Sequence, residues 1–199
     1  PFYTFTMPEQ AREALHYRYL LLPAARERAK EMDESGALFP WRSISGDEAS
    51  AYYPAGTAQF HIDADIAYAV AQYVAATGDY RYLADEGMEI LIETSRLWCD
   101  LGFWRGDNTE GLDAGEPREF HFFGVTGPDE YTAVVNDNFF TNVMARLNLR
   151  NAVRWATWMQ AHRPEEFAAL AEKLDFAEEE LETFAEVAEH IHIPHDAKT

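Results

Sequence analysis

Apolar residues recur every three to four positions through most of this chain, and strict alternation is almost absent. The stretch "TFTMPEQAREALHYRYLLLPAARERAKEM" reads as a helix with Leu15, Tyr19 and Leu22 on one face. Thr6 is placed to cap it, Pro8 suits its first turn, and Glu9 stands three residues on, as in a capping box. Pro23 is expected to kink or divide it. A second helix is predicted over about 58–77, where Ile62, Ile66, Tyr68, Ala69, Val70 and Tyr73 surround the axis and imply deep burial. Gly78 supplies its stop. A short turn and a third helix follow, over about 85–101. The segment 102–123 is polar and Gly-rich, with short strands expected near Phe120–Phe123. "DNFFTNVMARLNLRNAVRWATWMQAH" predicts a long helix. Two more follow, the last beginning near Asp175, and its Glu178, Glu179, Glu180 and Glu182 are read as a solvated face.

At least six helices with hardly a strand define an all-α architecture. Long aromatic loops separate them. The largest, 36–56, has Gly and Pro at both ends and no period, and ordered loops of that length are usually functional. Deeply buried helices alternating with half-exposed ones, joined by such loops, suggest an α/α toroid. Periodicity by itself does not show that the ring closes.

A formal net charge of −19 over 199 residues argues against nucleic acid and anionic membrane surfaces as partners. It favours a neutral or cationic ligand. The one cysteine, Cys99, has no partner for an internal disulfide, which fits a reducing compartment. No apolar run approaches the roughly 18 residues of a membrane span, and no secretory signal is visible. The chain opens on Pro1 and closes on "IPHDAKT", so it is expected to be part of a longer protein.

Four groups of residues carry candidate chemistry. In "GVTGPDEYTAVVNDN", Asp129 and Glu130 follow a Gly-Pro turn. They are either a surface loop or a rigid mount for a general acid, whose proton affinity a neighbouring carboxylate would raise. His61 and Asp65 lie four apart on one helix with Gln59 at its entry, so they form either a ligand-facing row or a satisfied buried pair. Trp41, with Tyr52 and Tyr53 in the long loop, offers flat rings to a sugar or pins the loop to the body; Arg42, Asp47 and Glu48 stand nearby. His190, His192, His195 and Asp196 have the composition of a zinc site. Their spacing is wrong for one helix face and no Cys joins them, so a plain exit from a helix is favoured and no metal is expected. Neither a phosphate-binding glycine loop nor a Ser/His/Asp signature is present.

Three stretches together resemble glycoside hydrolase family 65, the family of maltose, kojibiose, nigerose and trehalose phosphorylases. They are the opening "PFYTFTMPEQAREALHYRYLLLPAARERAKEMDESGALFPWRS", the helix "QFHIDADIAYAVAQYVAATGDYRYL" and "GVTGPDEYTAVVNDNFFTNVMARLNL". The last is the most specific. The resemblance implies the middle of an (α/α)6-barrel catalytic domain, spanning 1–199. The family's N-terminal β-sandwich, donor-sugar segment, phosphate-binding region and C-terminal β domain would lie outside these residues, and the isolated piece would be inactive. It implies inverting phosphorolysis of an α-linked glucosyl disaccharide with Glu130 as general acid. Inorganic phosphate is then co-substrate, with no cofactor or metal. Trp41 and Arg42 match the acceptor-sugar subsite. Gln59, His61 and Asp65 match a helix start facing the pocket. Asp129, Tyr131 and Asn136 match the surroundings of the acid. Phe123 departs from the smaller or polar residue usual before that glycine, and "VVNDN" is a variant of the family phrase. A cytoplasmic homodimer is implied for the whole protein. An inverting α-glucosidase or trehalase-like hydrolase of the same family remains open, as does a non-catalytic helical carbohydrate-binding domain.

Overall fold

The computed structural model describes residues 2–49, 54–106, 117–129 and 134–195. Helix α1 (Phe2–Thr6) leads into α2 (Pro8–Leu20) and α3 (Leu22–Glu31). The capping box expected at Thr6 does not form. Residues 2–6 are themselves helical, so the Thr6 hydroxyl donates back to the Phe2 carbonyl at 2.8 Å, and α2 starts with no side-chain cap. Pro23 does divide the segment. It lies in the first turn of α3, where its missing N–H costs nothing.

Helix α4 (His61–Thr77) is buried nearly all round, as its pattern predicts. It ends at Gly78, whose φ of 68° lets its N–H close on the Val74 carbonyl at 2.9 Å. The next helical run begins earlier than expected. Asp79 caps α5 (Tyr80–Tyr82) by accepting the Tyr82 N–H at 3.0 Å. A π-helical turn, Leu83–Gly87, then joins α5 to α6 (Met88–Leu101).

The strands foreseen near Phe120 are a small antiparallel hairpin of β1 (Phe103–Arg105) and β2 (Glu119–His121), with Trp104 opposite Phe120. Helix α7 (Phe139–His162) packs against α4, α6 and α9 and is the centre of the described structure. Helices α8 (Pro164–Leu174) and α9 (Glu178–His190) complete it. Asp175, at φ 49°, ends α8 in the left-handed region, and this delays α9 to Glu178. Glu180 is not on a solvated face, contrary to the sequence reading. It is half-buried and bridges Arg96 at 2.6 Å, while Glu178, Glu179 and Glu182 are exposed.

Trp98 and Phe122 are fully enclosed, as are Leu149 and Met159 of α7. The Trp98 ring meets Phe122 edge-on at 5.2 Å, and its indole N–H donates to Asn148 at 3.2 Å. The hairpin is thus seated on α6, and the segment that follows Phe122 starts from a fixed point. Among the described residues no helix is long and apolar enough to cross a membrane.

Candidate functional site

Residues 124–129 and 134–138, on either side of the motif's acid, are pinned to one another. Val125 and Val135 exchange two backbone hydrogen bonds, at 2.9 and 2.8 Å. Gly124, at φ 71°, donates its N–H to the Asn136 side-chain oxygen at 3.2 Å. Asn136 therefore uses its carbonyl oxygen to close the loop. Gly127 is glycine because of a close approach: a Cβ there would lie 2.4 Å from the Asn138 amide nitrogen. Asn138 in turn caps α7 by accepting the Thr141 N–H at 3.1 Å. Pro128 and Asp129 are exposed beyond this anchor. Glu130 and Tyr131 lie outside the described residues, as do Tyr52, Tyr53 and Asp196.

Asp137 ties the second foot to the hairpin. Its φ of 50° turns the backbone so that one carboxylate oxygen accepts both the Phe122 N–H, at 3.1 Å, and the Asn142 amide, at 3.0 Å. Its other oxygen accepts Nδ1–H of His121 at 2.9 Å. Sequence reasoning passed over Asp137. The available signal was an acid inside an Asn-rich run directly before a helix, a position that favours left-handed backbone.

The loop is also joined to the start of α4. Thr126, fully buried, donates its N–H to the Ala58 carbonyl at 2.9 Å. Ala58 ends a 3-10 turn at Pro54–Ala58 and directly precedes Gln59. His61 donates from Nδ1 to Asp65 at 2.8 Å, and its Nε2 faces the Gln59 amide at 3.2 Å. The atom that Nε2 meets is the Gln59 side-chain oxygen Oε1. Phe140, from the first turn of α7, meets the His61 ring edge-on at 5.6 Å. Gln59, His61 and Asp65 therefore form one row beside the acid loop. Gln59 and His61 are buried, while the Asp65 side chain is 39% exposed. Asp65 also lines an open groove of about 360 Å³ between α1, α2 and α4, with Tyr3, Arg18, Ile62 and Ile66.

Between His61 and Asp65, Asp63 is wholly buried. One of its oxygens accepts the Phe39 N–H at 3.2 Å, and among the described residues the other has no hydrogen-bond partner. Burial pushes its carboxyl well above the usual carboxylate range, against the opposing pull of the Phe39 N–H and of Arg28. Asp63 moors the long loop: Phe39 is held on α4, and Trp41 follows two residues later. Its signal in the sequence was a second acid, beside Asp65, in a helix of mostly apolar residues. Arg42 stacks its guanidinium on the Trp41 ring at 4.1 Å from the centroid. Its carbonyl accepts the Ala49 N–H at 2.8 Å, closing a small turn. Burial pushes the Cys99 thiol up to about 12, which favours the protonated thiol over the thiolate.

The histidines of "HIHIPHD" separate. His190 packs against Trp104 at 5.4 Å, whereas His192 reaches β2, where its Nδ1 lies 2.9 Å from Glu119. The ring of His192 stacks on His121 at 4.9 Å.

In this helical body the segment with Gly127, Pro128 and Asp129 is joined beside the row of Gln59, His61 and Asp65. The chain belongs to glycosyl hydrolase family 65: residues 1–199 match the family's central catalytic domain. It is 48% identical over 197 residues, 98% of this chain, to an alpha,alpha-trehalose phosphorylase of Geobacillus stearothermophilus, of which it covers 24%. It is 32% identical over 208 residues to a kojibiose phosphorylase of Halothermothrix orenii, covering 98% of this chain and 26% of that one. Among solved structures, a human-microbiome protein provisionally described as a kojibiose phosphorylase superposes with a TM-score of 0.84. That match has 28% identity and covers all of this chain and 25% of the other. The chain thus spans about a quarter of the length of these relatives.

Proposed function

We propose that this chain is an arc of an (α/α)6 barrel in an inverting disaccharide phosphorylase, with Glu130 as its general acid. In this reading protonated Glu130 gives its proton to the glycosidic oxygen as the bond to the anomeric carbon breaks. An oxygen of inorganic phosphate attacks that carbon from the opposite face. The products are β-glucose 1-phosphate and a free sugar whose new hydroxyl carries the donated proton. Inverting hydrolysis needs a second carboxylate to activate water. Phosphate is already an anionic nucleophile, so one carboxyl group is enough and no cofactor or metal enters the step.

The observation that carries this reading is the footing of the loop that holds Glu130. A general acid works only within hydrogen-bond reach of the leaving oxygen. The Val125–Val135 pair, the Thr126–Ala58 bond and the seat of Gly127 on Asn138 hold the feet of that loop on either side. Gln59, His61 and Asp65 then read the hydroxyls of one sugar ring, and Trp41 with Arg42 shapes the acceptor side. Asp129 and Tyr131 support the acid, and Asn136 supports it through Gly124.

Trehalose is the leading substrate. Identity to the trehalose phosphorylases, 48% and 46%, exceeds the 32% to the kojibiose enzyme. The kojibiose alignment also runs over 208 positions, more than this chain contains, so its loops differ in length. The whole protein is read as a cytoplasmic homodimer.

The test uses the complete polypeptide that carries this segment. Phosphate-dependent release of β-glucose 1-phosphate from trehalose is expected, and Glu130→Gln should lower kcat by roughly 10²–10⁴-fold. Turnover without phosphate would instead establish the hydrolase of the same family. Unchanged turnover in the variant would remove Glu130 from its role.

A further inference from the structure

We propose that Glu119, His121 and His192 form a binding site for a divalent transition-metal ion of the zinc class, which clamps the β1–β2 hairpin to the exit of α9. Glu119 and His121 alternate on β2 and so share one face of the hairpin. The chain leaving α9 runs parallel to that strand. Phe120 pairs with Ile191, and the His192 N–H donates to the Phe120 carbonyl at 2.9 Å. This brings the His192 ring over the same face, where one donor atom from each of the three residues lies within 4.8 Å of the other two.

Three donor atoms so spaced leave a point no more than about 2.8 Å from each. Movements of roughly 0.6 Å then reach the 2.0–2.2 Å of zinc–ligand bonds. His192 Nδ1 and Glu119 Oε2 meet in a hydrogen bond of 2.9 Å, which a bound ion would replace. His121 carries the support found around metal-binding imidazoles. Asp137 accepts its Nδ1–H at 2.9 Å, which holds the ring and leaves Nε2 with its lone pair. Asp137 is itself held by the Phe122 N–H and the Asn142 amide, and Asn142 also donates to the His192 carbonyl at 2.7 Å. Two imidazoles and one carboxylate suit Zn²⁺, Co²⁺ or Ni²⁺ better than Mg²⁺ or Ca²⁺, which prefer all-oxygen shells. The Glu119 and His192 side chains are 40% and 33% exposed, so an ion has a path in and water can complete its shell.

The sequence expectation of no metal considered the histidines of one segment only. The partners of His192 come from β2, more than 70 positions earlier. The ion would be structural, and the proton transfer proposed above does not pass through it. It would join β2 to the α9 exit and, through Asp137, stiffen the second foot of the acid loop.

The test is a titration of the complete polypeptide, stripped with a chelator, with Co²⁺ read by its visible absorption and then displaced by Zn²⁺. One Co²⁺ per chain is expected at this site, with a rise in Tm on adding Zn²⁺. His192→Gln and Glu119→Gln should each weaken binding by roughly 10–100-fold and abolish the Zn²⁺-dependent rise in Tm, with Tm in chelator close to that of the parent. Two variants are used so that one which fails to fold leaves the other to decide. Co²⁺ spectra and affinities equal in parent and variant, or no Co²⁺ spectrum in the parent, would overturn the proposal whatever the enzyme's activity.

Discussion

On the α6 side of the molecule, Glu89 and Glu93 are almost fully buried and fully paired. Arg26 reaches both, at 2.7 and 3.0 Å, Lys173 reaches Glu89, and Arg96 links Glu93 to Glu180. On the α4 side, Asp63 is buried just as deeply but has one backbone N–H and an oxygen with no hydrogen-bond partner among the described residues. The two environments push their carboxyls in opposite directions. Burial raises both, but at Glu89 the hydrogen bonds from Lys173 and Arg26 outweigh it and its pKa falls below the usual value. At Asp63 burial wins. The first region joins α3, α6, α8 and α9 and is built for stability. The second moors the loop that carries Phe39 on α4, whose start is joined to Thr126, and accepts a cost in stability to do so, a trade common where function is carried.

Glu89→Gln should show the largest effect on stability, about 1–3 kcal/mol at neutral pH, because it leaves a cation beside a group that no longer answers it. A carboxyl whose folded pKa is depressed gives stability that is full above its unfolded pKa. That stability is lost as pH falls through the folded one. The gap between parent and variant in chemical denaturation should therefore close below about pH 4.3. Turnover of the complete enzyme should change little, and a large loss of kcat at full folding would break the division between the two regions.

Gly127→Ala comes next. The new Cβ must displace the Asn138 side chain that caps α7, so a cost of about 1–2 kcal/mol is expected. Because the same contact seats one foot of the acid loop, kcat should fall by more than it does in Glu89→Gln. Equal kcat in the two variants would show that the foot does not govern the acid.

Asp63→Asn should have the smallest effect on stability, under about 1 kcal/mol near pH 4, with a pH trend opposite to that of Glu89→Gln. A carboxyl with a raised folded pKa loses stability as pH climbs from its unfolded value, about 3.9, through the folded one. The neutral amide has no such term, so the variant should gain on the parent across that window. Parallel pH–stability curves would mean that Asp63 is not held protonated.

Much of the fold was legible because it rests on local rules. Gly78 stops α4, Pro23 splits α2 from α3, and the apolar surround of α4 announces its burial. Thr6 misled because residues 2–6 form a helix of their own that takes its hydroxyl. Glu180 misled because its partner Arg96 lies 84 positions away. At the site, the Gly-Pro-Asp-Glu motif and the Gln59–His61–Asp65 row could be picked out by residue type and spacing. Asp63 and Asp137 left only a weak local signal, and the meeting of His121 with His192 left none, since each matters chiefly through residues elsewhere in the chain.

By itself, then, the sequence determined the helices, their breaks and the residues with chemistry to offer, because capping, periodicity and turn formation act over a few neighbouring positions. Tertiary structure alone decided which carboxylates are paired and which are stranded. It also decided that the acid loop and the start of α4 share a backbone bond at Thr126 and Ala58, and that three donors from two segments converge on the hairpin. Burial and Coulomb interaction depend on distance through space, and only packing brings such distant positions together.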